Sequence, residues 1–301
     1  MEPTLGPRDH LLTEQPNERC ADLDAVSTLE AFDLLNAEDA SIAAAVGAAR
    51  VEIAQAADLI AERIRAGGRL FYVGAGTSGR LAVLDAAECP PTFSSDPAQV
   101  QAIIAGGPAA LTAAIEGAED NEQAGAAELD ARGLNEGDVV FGITAGGTTP
   151  FVHGAISHAK QKGAATIFFA CVPSEEAPDE AELSIRVLTG PEVVSGSTRM
   201  KAGTATKLVL NSVSTLVMVR LGKVHGNLMI DVDASANAKL VERARTLIQR
   251  VTGCERERAA ALLEEAGGSA KLACCMALNN QDAEAARSSL EMAGGSLRSA
   301  T

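Results

Sequence analysis

Apolar positions change their spacing several times along the 301 residues of this chain. Over the first 25 or so residues they follow no period, and Pro3, Pro7 and Pro16 interrupt the segment, so a polar arm lying on something else is expected there. Ser27-Thr28-Leu29-Glu30 fits a capping box, in which the serine hydroxyl and the glutamate carboxylate satisfy first-turn amides, and a short helix should follow. Between residues 40 and 66, Val46, Ile53, Leu59, Ile60 and Ile64 recur at helical spacing, and Gly67-Gly68 supplies the stop. The grain then changes to short, continuous apolar runs separated by helical stretches. Residues 69–73, 100–104, 138–143, 165–170 and 183–188 read as buried strands, and most intervals between them can hold a crossover helix. This alternation predicts an α/β fold with a doubly wound, mostly parallel sheet flanked by helices. Helical patterns over 201–221 and 238–251, and a tail broken by Gly253, Gly267-Gly268 and Gly294-Gly295, predict a small C-terminal helical appendage. The expected organisation is an arm and short helix over 1–39, a main domain over 40–235 and a helical region over 236–301.

Composition narrows the core and the partners. The chain is 47% hydrophobic but only 3% aromatic, with no Trp, so its interior must be built from Ala, Val, Leu and Ile. A formal net charge of -15 argues against nucleic acid or an anionic membrane, which need a positive field to recruit a protein. An anionic small molecule would need a local positive site instead. Cys20, Cys89, Cys171, Cys254, Cys274 and Cys275 form no CxxC pair, and His10, His153, His158 and His225 have no metal-ligand spacing. Reduced thiols and no metal are expected. The N-terminus lacks the basic and apolar regions of a signal peptide, and no apolar run approaches the ~20 residues of a membrane span, so a cytoplasmic location is expected.

Candidate chemistry gathers in three glycine-rich loops. The first predicted strand runs into Gly74-Ala75-Gly76-Thr77-Ser78-Gly79-Arg80 at the start of a helix, where backbone amides can cradle an anion. The GxGxxG spacing also suggests a dinucleotide. That fingerprint wants an acidic residue ending the next strand, whereas the run 100–104 ends in Ala105-Gly106-Gly107. The hydroxyls of Thr77 and Ser78 suit a terminal phosphate better, although a merely structural turn shows the same residues. Thr144-Ala145-Gly146-Gly147-Thr148-Thr149-Pro150 and Ser195-Gly196-Ser197-Thr198-Arg199-Met200-Lys201 are loops of the same kind. Gly76, Thr77, Ser78, Thr144, Thr148, Ser195, Ser197, Thr198, Arg199 and Lys201 are therefore the candidate anion-binding residues. Three such loops, each opening a helix, favour one convergent anion site.

Two acidic clusters follow. Asp85-Ala86-Ala87-Glu88-Cys89-Pro90-Pro91 lies on the helix after the first loop, and its proline pair should end that helix beside the site. Ile115-Glu116-Gly117-Ala118-Glu119-Asp120-Asn121 follows the second strand. A fixed carboxylate can act as acid or base, but solvated acid on an acidic protein reads the same, and spacing does not choose between them. Cys89 has no histidine in its motif and is no nucleophile candidate. His225, Asn237 and Lys239 read more readily as structural groups than as ligands of a substrate.

The stretches GAGTSGRLAVLDAAECPPTF, IAGGPAALTAAIEGAEDN, EVVSGSTRMKAGTATKLVLN and GKVHGNLMIDV, with TEQPNERCADLDAVSTLE upstream, resemble the N-acetylmuramic acid 6-phosphate etherases of the sugar isomerase (SIS) superfamily. The similarity runs from about Leu11 to near the C-terminus. It implies an SIS-type sugar-phosphate domain and cleavage of the D-lactyl ether of N-acetylmuramic acid 6-phosphate to N-acetylglucosamine 6-phosphate and D-lactate, with no metal or redox cofactor. The family scheme is elimination and hydration on the ring-opened sugar. By motif match, Glu119 would remove the C2 proton, and Glu88 would protonate departing lactate and then activate water. Thr77, Ser78 and the loop Ser195 to Lys201 would hold the phosphate. The family usually shows Ala-Ser-Gly-Arg-Thr-Pro in the third-strand loop, one serine and one arginine more than Ala145 to Pro150 here, leaving Thr144, Thr148 or Thr149 as substitutes. Ala236 and His225 replace a threonine and an aromatic residue. A homodimer is expected, with the arm or a partner helix completing each site. A non-catalytic regulator of the glucokinase regulatory protein type and an aldose-ketose isomerase are the rival readings.

Overall fold

A computed structural model describes residues 8–232 and 238–301. Ala236, Asn237 and the expected boundary between 235 and 236 lie outside the described residues. The chain divides into two compact units, one running up to Ala87 and including Pro97–Ser214, the other comprising Glu88–Asp96 and Thr215–Thr301.

The first unit is built on a five-stranded parallel sheet of β1 (Leu70–Gly74), β2 (Val100–Ile104), β3 (Val139–Ile143), β4 (Ala165–Ala170) and β5 (Leu183–Arg186), in the order β2-β1-β3-β4-β5. Strands β1, β3 and β4 are buried at every position, as parallel strands covered on both faces must be. Six of the eight aromatic residues, Phe71, Tyr72, Phe141, Phe151, Phe168 and Phe169, are fully buried on these strands and on one helix against them. The scarce aromatic volume is thus spent in the middle of the sheet. At the start of β3, the carboxylate of fully buried Asp138 accepts from the backbone N–H, Nε and Nη2 of Arg69 at 2.9, 3.1 and 2.7 Å, and from Asn135 N–H at 3.0 Å. That ties the entrance of β1 to the entrance of β3.

The helices of this unit are α1 (Thr28–Asp39), α2 (Ile42–Ala48), α3 (Arg50–Arg65), α4 (Gly76–Phe93), α5 (Glu122–Ala131), α6 (Pro150–Gln161) and α7 (Lys201–Arg220), with the unit boundaries falling inside α4 and α7. The capping box at Ser27 is present in both directions. The helix predicted over 40–66 is two helices, because Ala49 N–H bonds Val46 C=O, a tighter i to i−3 closure that ends α2 before α3 begins. The proline pair does not end α4. Pro90 and Pro91 lie within its last turn, which closes through Ser94 N–H to Pro90 C=O at 2.9 Å and stops at Ser94 with φ 50°. α7 is long and apolar enough to cross a membrane, but it turns Ala202, Ala205, Val209, Leu210, Val213, Val217 and Met218 into the interior, as a core helix does.

The polar arm does not simply lie on something else. Leu11 is fully buried in the cluster that holds Phe71, Val73, Val140 and Phe168, Thr13 is fully buried beside it, and Leu12 N–H donates to Glu176 Oε2 at 2.7 Å. Two adjacent leucines inside an otherwise polar segment are enough to anchor it, which its average composition conceals.

The second unit holds an antiparallel hairpin, β6 (Val224–His225) with β7 (Leu228–Met229), and helices α8 (Ala238–Thr252), α9 (Arg256–Glu265), α10 (Ala270–Asn279), α11 (Ala283–Met292) and α12 (Leu297–Ala300). Ile230, Ile248, Leu262, Cys274, Cys275 and Leu297 form its core, and Lys223 and Lys271 both reach Asp231, at 2.6 and 3.3 Å.

Candidate active site

The strand order reverses at β1, whose neighbours are β2 on one side and β3 on the other. At such a switch point the loops leaving the carboxyl ends of adjacent strands part company and open a crevice. A cavity of about 420 Å³ lies there, lined by Gly76, Thr77 and Ser78 after β1, Thr144 and Gly146 after β3, Gly196 to Arg199, and Glu119.

Its floor is the start of α4. A single residue, Ala75, separates β1 from α4, so the first turn of the helix sits directly on the strand end. Glycines permit this approach: a Cβ on Gly79 would lie 2.6 Å from Ile104 Cγ1 and 2.8 Å from Gly74 O. Helix N-terminal amides carry partial positive charge and unpaired donors, and here the hydroxyls of Thr77 and Ser78 stand among them. Further along α4, buried Asp85 accepts from Tyr72 Oη at 3.2 Å, Asn211 Nδ2 at 2.7 Å and Ser214 Oγ at 3.1 Å. Burial pushes the Asp85 carboxyl up, and these bonds oppose the push. The network fixes α4 against β1 and α7.

The other two loops differ from each other. Thr144 is buried, and its hydroxyl serves the loop itself, donating to Phe169 C=O at 3.3 Å and accepting from Gly147 N–H at 2.9 Å. His153 Nε2 reaches Gly147 C=O at 2.7 Å and holds the same loop from below. Thr149 lines the cavity at the start of α6; Thr148 is half-buried and does not line it. In the third loop Ser197, Thr198 and Arg199 line the cavity, whereas Ser195 is exposed outside it.

Lys201 also lies elsewhere. Its ammonium is buried, 2.5 Å from Glu38 Oε2 and 3.0 Å from Pro191 C=O, beside a different cavity lined by Asn17, Arg19 and Thr189. The first amides of α7, on Lys201 and Ala202, donate to the two oxygens of fully buried Glu192 at 2.9 Å each. Burial pushes the Glu192 carboxyl up against these bonds. The third loop therefore opens a helix whose N-terminal charge is already answered by the protein, and its offer to a ligand is the hydroxyls of Ser197 and Thr198 and the guanidinium of Arg199.

Of the two carboxylates, Glu119 stands at this cavity. It sits in a single 3-10 turn, Ala118–Asp120, entered through Gly117, and its exposed side chain lines the cavity wall. Glu88 is exposed on α4 ten residues beyond Ser78, about 15 Å along the helix axis at the usual rise, and does not line the cavity. Arg8, Glu14 and Arg80 line it although the residue pattern did not single them out. Arg80 announced itself only as the last residue of the first loop. Glu14 lies in the upstream segment TEQPNERCADLDAVSTLE, to which the resemblance attaches no role, and Arg8 precedes that segment.

Among the described residues no group of three or more His, Cys, Asp or Glu side chains is arranged to hold a metal ion, and all six cysteines are free thiols.

Comparison with known proteins bears on the whole chain. Residues 52–160 match the profile of the glucokinase regulatory protein N-terminal SIS domain. The phosphoheptose isomerase of Francisella tularensis shares the fold, with a TM-score of 0.51 at 17% identity, covering 64% of this chain and 100% of that one. The N-acetylmuramic acid 6-phosphate etherase of Synechococcus sp. is 55% identical over 302 aligned residues, 99% of this chain and 95% of that protein. That of Nostoc punctiforme is 57% identical over 90% of this chain and 88% of its own. Full-length identity at this level, over a sheet that carries its crevice at the switch point, places the chain in the N-acetylmuramic acid 6-phosphate etherase family.

Proposed function

We propose that the chain cleaves the D-lactyl ether of N-acetylmuramic acid 6-phosphate, giving N-acetylglucosamine 6-phosphate and D-lactate, and that it does so in the cytoplasm as a step of cell-wall recycling. The observation that carries the reading is the cavity itself, where the open N-terminus of α4 and the hydroxyls of Thr77, Ser78, Ser197 and Thr198 face one exposed carboxylate, Glu119. The amides and hydroxyls hold the 6-phosphate. Glu119 takes the proton from C2 of the open-chain sugar, next to the C1 aldehyde that stabilises the resulting carbanion. The C3–O bond then breaks, and lactate leaves with a proton supplied by Glu88, since an unprotonated alkoxide would be a poor leaving group. Water activated by Glu88 adds to C3, and the proton returns to C2. The sequence is redox-neutral and needs no electron carrier.

The distance of Glu88 from Ser78 along α4 supports a homodimer in which Glu88 of one copy serves the cradle of the other. The match to a regulatory protein's domain favours a second reading, a sugar-phosphate sensor without turnover. The two part in one assay. Incubation with N-acetylmuramic acid 6-phosphate is expected to release D-lactate, whereas tight binding with no lactate would leave the sensor. The dephosphorylated sugar should turn over with kcat/KM lower by about 100-fold or more, because binding free energy spent at the phosphate is what positions C2. Equal turnover of the two sugars would remove the phosphate from the cradle.

A further inference from the structure

The cavity receives a guanidinium from outside the sheet. Arg8 is held on a turn in which its C=O accepts Leu11 N–H at 2.9 Å, and Gln15 Nε2 donates to Asp9 C=O at 2.7 Å. Leu11 and Thr13 are both fully buried, so the turn is fixed to the first unit and Arg8 is presented from a set position. Two of the glycine loops make room for it. A Cβ on Gly146 would stand 3.1 Å from Arg8 Nη2 and 3.5 Å from Leu11 Cδ1, and one on Gly196, at φ 72°, only 2.7 Å from Glu14 Oε2. Any side chain at either position would press on the segment that carries Arg8.

We propose that Arg8 binds the carboxylate of the substrate's lactyl group, which makes the N-terminal segment the element that tells the lactyl-bearing sugar phosphate from the sugar phosphate without it. The proposal rests on the reading of the function above. Such a substrate carries two anions, and the cavity shows two unlike places for them. The phosphate has the amides and hydroxyls at the start of α4. The carboxylate needs a cation, which a protein of net charge -15 must supply locally. The loop after β3, Thr144 to Pro150, contains none. Of the other two arginines at the cavity, Arg80 is engaged, donating to Leu111 C=O at 3.2 Å and Ala113 C=O at 3.0 Å, and Arg199 is exposed to solvent, with no buried donor left unanswered. Arg8 has one ionic partner, Glu14 at 3.5 Å, and its Nε is buried with no acceptor among the described residues. Its planar fork therefore keeps donors for a second, better-placed carboxylate, which is the geometry guanidinium groups match best.

Calorimetric titration tests this in the Glu119→Gln background, with N-acetylmuramic acid 6-phosphate and N-acetylglucosamine 6-phosphate as the two probes. Adding Arg8→Gln is expected to weaken the first by about 10- to 100-fold and leave the second unchanged. Arg8→Lys, which keeps the charge but not the fork, should fall between and keep the thermal midpoint of the parent, so that a folding defect in the glutamine variant cannot imitate the result. Equal weakening of both ligands would overturn the proposal, because Arg8 would then read the phosphate or merely hold the turn. No weakening of either would overturn it as well, and would pass the carboxylate to Arg199. Lactate release by the wild-type protein tests the functional reading separately: its failure would sink that reading, while the contrast between the two ligands still decides on Arg8.

Discussion

Glu119→Gln is expected to lose both D-lactate release and exchange of the substrate's C2 hydrogen with deuterium from heavy water, whereas Glu88→Gln is expected to lose release and keep exchange. The asymmetry follows from the order of bond changes. Removing the C2 proton needs only the base, and the acid that assists lactate enters afterwards. Loss of one proton-transfer group costs on the order of 100- to 10,000-fold, so each effect stands well clear of assay scatter. Proton NMR of the C2 signal over time reads exchange, and a lactate assay reads release. Exchange kept by Glu119→Gln and lost in Glu88→Gln would reverse the two roles; normal release by both would show neither to be catalytic. The same two variants test the dimer. Glu88 lies about 15 Å along α4 from Ser78, so if it serves a second copy, co-expressing the two inactive chains should restore activity in the mixed dimers, where one site receives both native carboxylates. No recovery on mixing would place both groups in one chain's own site.

Asp138→Ala is expected to destabilise the first unit by about 3 to 5 kcal/mol, the largest stability effect anticipated from one substitution here. Asp138 is fully buried and answers three donors of Arg69 and the amide of Asn135. Removing it leaves the backbone N–H groups of Arg69 and Asn135 without their acceptor and takes the counter-charge from the Arg69 guanidinium, which keeps only the carbonyls of Arg132 and Gly133, so the cost is that of several unanswered groups rather than of one lost attraction. Asp138→Asn should cost less, since its amide oxygen can still accept from the Arg69 backbone. Urea unfolding of both variants gives the numbers. A loss below about 1 kcal/mol for the alanine variant, the scale of an exposed ion pair, would mean that the network is not under load.

The alternation of short apolar runs with helical stretches was enough to specify a parallel sheet, because a strand buried on both faces must be apolar throughout, and β1, β3 and β4 are. The glycine and hydroxyl residues after β1 were legible for a similar reason. A helix that starts one residue after a strand needs glycine for the approach, and the approach leaves its amides open to an anion. Local chemistry of this kind is written in contiguous residues. What depends on residues far apart in the chain was not. Nothing near Lys201 says that Glu38, 163 positions away, neutralises it, or that Glu192 occupies the amides of α7, so a loop with the composition of an anion cradle carries its lysine away from the cavity. The prolines at 90 and 91 looked like a helix stop, yet α4 runs through them, since its last turn can be closed by Ser94 from the far side. Arg8 was invisible for the converse reason. Its segment is polar on average, and only the burial of Leu11 and the absence of a side chain at Gly146 bring its guanidinium to the cavity. Sequence determined which strands and helices form and where a glycine-rich turn opens a helix beside the sheet; which charged groups remain free to meet a ligand was decided by pairings across the fold, where burial makes an unanswered charge too costly to keep.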